Sequence, residues 1–146
     1  MSWRNEILTA FRSRVSTVTG FSSWIMVYTN RQNDTDPSAS SQFIEESMAA
    51  SSSSDTAIGH VVRYREIVGT YQLMLCVPLD SDVIPALAFA DAIELAFLAQ
   101  PMLTMADGVT PIRVSVVLIG DPRPARKDDP FVRIPVVLTY TVNTHT

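Results

Sequence analysis

The sequence predicts an α+β protein in which two main helices accompany a sheet of about four to five strands. Three observations lead there. Residues 2–18 repeat apolar side chains at helical spacing. Residues 83–99 form a second, far more apolar helical run. Much of the remainder alternates in β fashion between Gly, Pro and Ser breaks. At 146 residues the chain suits one domain, 1–146, and is long enough to bury a core without disulfide or metal support.

The first helix places Trp3, Ile7, Phe11, Val15 and Val18 near one face, with Arg4, Glu6, Arg12 and Arg14 largely elsewhere. Ser2 is placed to cap it and Gly20 lies just past its end. "WIMVY", residues 24–28, reads as a strand, and "FIEESM", residues 43–48, as a short one. Between and after them lie "TNRQNDTDPSASSQ" and "AASSSSDT". Their composition predicts flexible loops around 30–42 and 49–57, because such residues bury little apolar surface. "HVVRYREIV" and "TYQLMLCVP" flank Gly69 and fit either one strand bulged at the glycine or two strands.

The second helix begins where Asp82 can cap it, accepts Pro85 in its first turn and stops before Pro101. Only Asp91 and Glu94 interrupt its apolar surface. They share one stripe with Leu87 and Leu98. A helix on a sheet needs one apolar stripe, so either the first helix and the loops cover the remainder or a second subunit does. Strands follow at roughly 102–106, 112–119 and 131–142. Pro135 cannot donate to a ladder, so it belongs on an edge or at a bulge. Between the last two strands stands "DPRPARKDDP", residues 121–130. A hairpin needs only about two to five loop residues. This stiff segment, with Arg123, Arg126, Lys127, Asp128 and Asp129, is either a solvated connector or a contact surface for another chain.

Composition excludes several functions. The net charge of −4 argues against a nucleic-acid footprint, and the charge in 121–130 nearly cancels. Charged residues are 18% of the chain, below the usual value of about 25%, so part of the surface is expected to face protein. Ten of the eleven bases are arginine, the residue suited to interface ion pairs. Cys76 is the single cysteine and reads as a buried apolar residue, which fits a reducing compartment. The start "MSWRNEILTAF" has no secretory pattern, and Pro85, Asp91 and Glu94 argue against a membrane span in the apolar helix. His60 and His145 have no metal-ligand spacing, and the five glycines are scattered singly. The carboxylate pairs Glu45–Glu46 and Asp128–Asp129 fall in polar stretches expected to be exposed, a poor setting for raised-pKa acid chemistry. No catalytic, metal-binding or cofactor-binding residue is expected.

In order, "WIMVYTNRQNDTDP", "REIVGTYQLMLCVP", "ALAFADAIELAF" and the charged loop before "FVRIPVVLTY" resemble the phage and prophage tail-terminator family, the minor-tail-protein-U-like group of tail completion proteins. The resemblance covers most of the chain. It is weakest through residues 30–58, where the serine-rich stretch 47–54 is long. It implies a sandwich-like fold with two helices on one face of a mixed or mainly antiparallel sheet. It also implies a homo-oligomeric ring, a hexamer, seated on the last ring of the tail tube. Such a ring halts polymerisation of the tube protein and offers the surface that the head joins. The implied partners are a second copy, the tail tube protein and a head-completion or connector protein. The implied location is the virion tail, and the bacterial host cytoplasm during assembly. The expected contact residues are Leu87, Asp91, Glu94 and Leu98 on the second helix and Arg123, Arg126, Lys127, Asp128 and Asp129 in the loop. Another head–tail connector or neck protein is the nearest alternative. A small ligand-binding protein or enzyme is the alternative of another class, and requires a deep pocket with convergent polar groups.

Overall fold

The protein, seen in a computed structural model, is described over residues 3–28, 41–58, 62–105, 108–124 and 130–145, with side chains omitted at 3, 50–58, 62–65, 116, 123, 124, 144 and 145. Helix α1 (Trp3–Ser16) forms because Ile7, Phe11 and Val15 recur every fourth residue, and all three are buried with Val18 just beyond. Its last turn tightens: the Thr17 and Val18 N–H groups donate to carbonyls three residues back. Gly20 then takes φ +94°, a left-handed conformation that favours glycine, and a single 3-10 turn (Phe21–Ser23) follows. The capping position Ser2 lies outside the described residues. Helix α2 (Ile84–Ala99) starts where the Ile84 N–H donates to Asp82 Oδ1 at 3.0 Å, has Pro85 in its first turn, and ends before Pro101.

The strands are β1 (Ile25–Val27), β2 (Phe43–Ile58), β3 (Val62–Pro78), β4 (Met102–Thr104), β5 (Pro111–Ile119), β6 (Arg123–Pro124) and β7 (Phe131–His145). They form one curled mixed sheet in the order β1-β2-β3-β7-β5-β4, with β6 also pairing β7. Among the described residues only β1 and β2 run parallel, and there are seven strands where four to five were expected. The three-residue β1 and β4 fall within stretches read as strands from sequence, whereas the two-residue β6 is too short to show an alternating pattern.

Two expectations are corrected in the sheet and one open alternative is decided. The serine run is a strand: β2 continues past Met48 to Ile58, paired with β3 down to Ile58↔Val62. Its composition hid this, because the ladder is made by backbone groups and needs no apolar alternation. The loop expected around 30–42 falls mostly outside the described residues. Residues 62–78 form one strand, and the irregularity opposite Gly69 belongs to β2, between Ala50 and Ser52. Finally, Pro135 lies in a central strand. The Gly120 N–H donates to its carbonyl at 2.8 Å. In an antiparallel strand a residue's N and O face the same neighbour, so the missing donor points to the gap where β5 has ended and β6 has not begun. Gly120 fits that gap because a Cβ there would lie 2.5 Å from Pro135 Cγ.

Both helices pack on one face of the sheet. Ile67, Tyr71, Leu73, Leu75 and Val77 of β3 and Ile134, Val136, Leu138, Tyr140 and Val142 of β7 point into one core with the buried faces of α1 and α2. On β5 a register shift between Val114 and Val116 reverses the parity. Ile112 and Val114 point inward before it, and Val117 and Ile119 pack against the core after it. The opposite face carries a smaller cluster of Phe43, Cys76 and Phe131, so Cys76 is buried as expected.

The aromatic centre of the core is Phe11. Its ring lies 4.5 Å from Tyr71, 5.4 Å from Tyr140 and 5.8 Å from Phe97. Tyr140 sits opposite Gly69 across the β3–β7 ladder and occupies the space a side chain would fill. A Cβ on Gly69 would stand 2.5 Å from the Tyr140 hydroxyl oxygen and 2.7 Å from the Ala49 carbonyl. Gly69→Ala is therefore expected to lower stability by about 1–3 kcal/mol through overpacking, read as a lower urea midpoint. An unchanged midpoint would show that Tyr140 moves aside freely.

Candidate functional site

Three features merit consideration: a buried charge cluster, an open concavity, and the outward face of α2. In the first, β2 turns Glu46 inward between Ile44 and Met48, and its side chain is fully buried. Arg12 on α1 reaches it with a fork: Nε lies 3.0 and 3.1 Å from the two carboxylate oxygens and Nη2 2.6 Å from Oε1. The Tyr71 hydroxyl donates to Oε2 at 2.7 Å. The guanidinium also lies 4.7 Å from the Tyr28 ring centroid. One correction follows: Glu46 is not an exposed carboxylate. The missed signal was strand parity, since Glu46 takes the position between two apolar residues of the same face. With one carboxylate held by a fork and a phenol, the cluster is built to hold α1 on the sheet.

The hydrogen bond to Glu46 raises the Arg12 pKa above its ordinary value against the opposing effect of burial. Burial first, and then the neighbouring Glu46 charge, hold the Tyr71 phenol well above its ordinary value of 10.0.

Arg14, two residues further along α1, acts on α2. Its guanidinium donates to the carbonyls of Gln100 at 2.8 Å and of Ala96 and Met102 at 3.4 Å each. It thus satisfies carbonyls at the negative end of the helix dipole. The concavity, about 500 Å³, opens between the Gly20–Trp24 segment and α2 and is lined mainly by Trp24, Pro85, Ala88, Phe89 and Ala92. Trp24 and Phe89 stack at 5.3 Å in it, and no cluster of ionisable groups converges there. Among the described residues no group of His, Cys, Asp and Glu is arranged to hold a metal.

Helix α2 buries Ala86, Phe89, Ala90, Ile93 and Phe97. Its outward stripe is Ile84, Ala88, Asp91, Leu95 and Leu98, spaced four and three residues apart. Of the four residues expected on this surface, Asp91 and Leu98 are exposed and Glu94 is half-buried at the side. Leu87 packs partly against the core. The stripe named from sequence lies to one side of the outward face. Ile84 and Leu95, each 67% exposed, were missed because a helix apolar all round gives no sign of which side is inside. In the 121–130 segment, Arg123 lies in β6 opposite Arg133. Arg126, Lys127, Asp128 and Asp129 lie outside the described residues.

Removing the Tyr71 hydroxyl tests the charge cluster. Below about pH 10 both the folded and unfolded chains keep the phenol protonated, and its contribution is intact. Above that the unfolded chain releases the proton first, so stability falls as pH rises toward the higher folded-state pKa. Tyr71→Phe should cost about 1–3 kcal/mol at pH 7, because Glu46 loses a donor. It should also make the alkaline decline shallower. The decline does not vanish, since burial raises Tyr140 as well. Urea midpoints at neutral pH and above pH 10 check both parts, and an unaltered alkaline slope would contradict the assignment.

A family model described as phage tail terminator protein matches residues 6–140. Among solved structures, one chain with 24% identity superimposes at a TM-score of 0.60, covering 97% of this chain and 96% of its own. A second, from the virion of a native gene transfer agent (GTA) particle, is 12% identical at a TM-score of 0.54, covering 98% of this chain and 100% of its own. At those identities the likeness speaks for the fold. No curated protein sequence matches significantly.

Proposed function

Because the chain belongs to the phage tail terminator protein family, we propose that it caps the tail tube as a homo-oligomeric ring, stops tube polymerisation and provides the surface that the head joins. The family match across residues 6–140 carries this reading. The outward stripe of α2 supports it, because Ile84, Leu95 and Leu98 are large apolar side chains left facing solvent in a single chain. The role is structural and non-enzymatic. The ring is a hexamer on the tail, its partners are the tube protein and a head-completion protein, and it resides in the virion tail after assembly in the host cytoplasm.

In this reading α2, with Leu87, Asp91, Glu94 and Leu98, and the 121–130 segment, with Arg123, Arg126, Lys127, Asp128 and Asp129, are the contact surfaces. Prolines at 122, 124 and 130 restrict the segment before docking, so less entropy is lost on contact. Exposed ion pairs contribute only about 0–1 kcal/mol each, so the segment sets register and partner choice more than affinity.

Electron microscopy of tails made with and without the protein tests the function directly. Overlong, headless tails are expected in its absence, and tails of normal length would sink the reading. Leu98→Asp and the pair Arg123→Glu with Arg126→Glu should each leave the monomer folded and reduce capping. Normal capping by a folded variant would remove that surface from the proposal.

A further inference from the structure

The two sides of β5 present chemically matched surfaces. On one side lies α2, whose outward stripe is apolar and acidic. From Leu79 to Thr110 the sequence contains five acids and no base. On the other side, where no helix lies among the described residues, β5 exposes Arg113, Ser115 and Leu118. The register shift between Val114 and Val116 produces this trio: it keeps Ile112 and Val114 inward before it and Val117 and Ile119 inward after it, and leaves these three outward. Leu118 is 63% exposed, and among the described residues Arg113 has no ion-pair partner. Asp91 is likewise exposed and unpaired among them.

We infer that the α2 stripe of one copy docks on the outward face of β5 in the next, with Asp91 against Arg113 and Leu95 and Leu98 against Leu118. This rests on the ring reading and deepens it by naming which two patches meet. The two patches back onto each other through one strand, so a copy that uses its α2 on one neighbour still offers its β5 face to another. Different patches meeting head to tail generate a ring when the rotation closes. A helix-to-helix pairing of two α2 stripes would stop at a dimer and would set Asp91 against its own copy, a like-charge contact. Exposed leucines on both patches supply the apolar part, and the single opposite-charge pair fixes register.

The test uses tails assembled in cells where the variant is the sole copy. Asp91→Arg and Arg113→Asp should each lower the fraction of normally terminated tails about tenfold, through like-charge contacts at every interface of the ring. The double variant should restore it. Circular dichroism of each purified variant excludes misfolding. Cross-linking provides the second arm. Leu95→Cys combined with Leu118→Cys, treated with a short bismaleimide, should give a ladder extending beyond the dimer; Cys76 is fully buried and stays silent. Dimers from Leu95→Cys alone would overturn the head-to-tail assignment. Normal termination by both single reversals, or no ladder on normally terminated tails, would overturn this pairing and leave the ring standing. Tails of normal length without any copy of the protein would overturn the ring itself.

Discussion

The fold depends on how α1 is held against the sheet. Phe11 and Arg12 are neighbours in sequence and act at one place by different physics. Phe11 fills the aromatic centre formed with Tyr71, Tyr140 and Phe97. Arg12 answers the buried carboxylate of Glu46 on β2. Tyr71 belongs to both groups, with its ring on Phe11 and its hydroxyl on Glu46. A buried carboxylate left without its cation is strongly unfavourable. Glu46 therefore requires α1 to dock with Arg12 over it, and apolar burial alone would permit many rotations of the helix. Arg14 extends the same control to α2 by binding its terminal carbonyls. Three elements are thus oriented by two arginines of one helix.

That arrangement leaves the sheet with two unlike faces. One carries both helices and the main core. Among the described residues the other carries the small Phe43–Cys76–Phe131 cluster, edged by an Arg133–Glu45 pair at 3.2 Å. The half-buried outward residues Val137, Thr139 and Thr141 of β7 continue that face toward β5. Among the described residues, helices on one face and strand without helix on the other give the sheet two chemically distinct sides.

The two helices and the central strands were legible because their signals are periodic. Ile7, Phe11 and Val15 repeat every fourth residue, and every second residue from Ile134 to Val142 is apolar. The same logic explains the failures. The serine run carries no period, and its pairing is written in the sequence of its partner β3. Pro135 was referred to an edge because the rule concerns one lost donor, and sequence does not say that β5 ends beside it. Glu46 was read as exposed from composition, whereas its place between Ile44 and Met48 marked it as inward. On α2 the excess of apolar residues showed that some surface was left over but gave no direction. The buried side was fixed only by where Phe89, Ile93 and Phe97 meet the sheet.

The strand that joins the two halves of the sheet is the last one described along the chain. The ribosome releases β1, β2 and β3, and then β4 and β5, before β7 exists to bridge them. Until then β3 and β5 each present a bare edge, and the contacts that complete the core run from Pro78↔Phe131 out to Tyr64↔His145. Such distant pairings form slowly, because a long loop must close before they contribute. Completion of the sheet therefore waits for β7. A chain interrupted before β7 has no continuous sheet on which to seat α1 and α2.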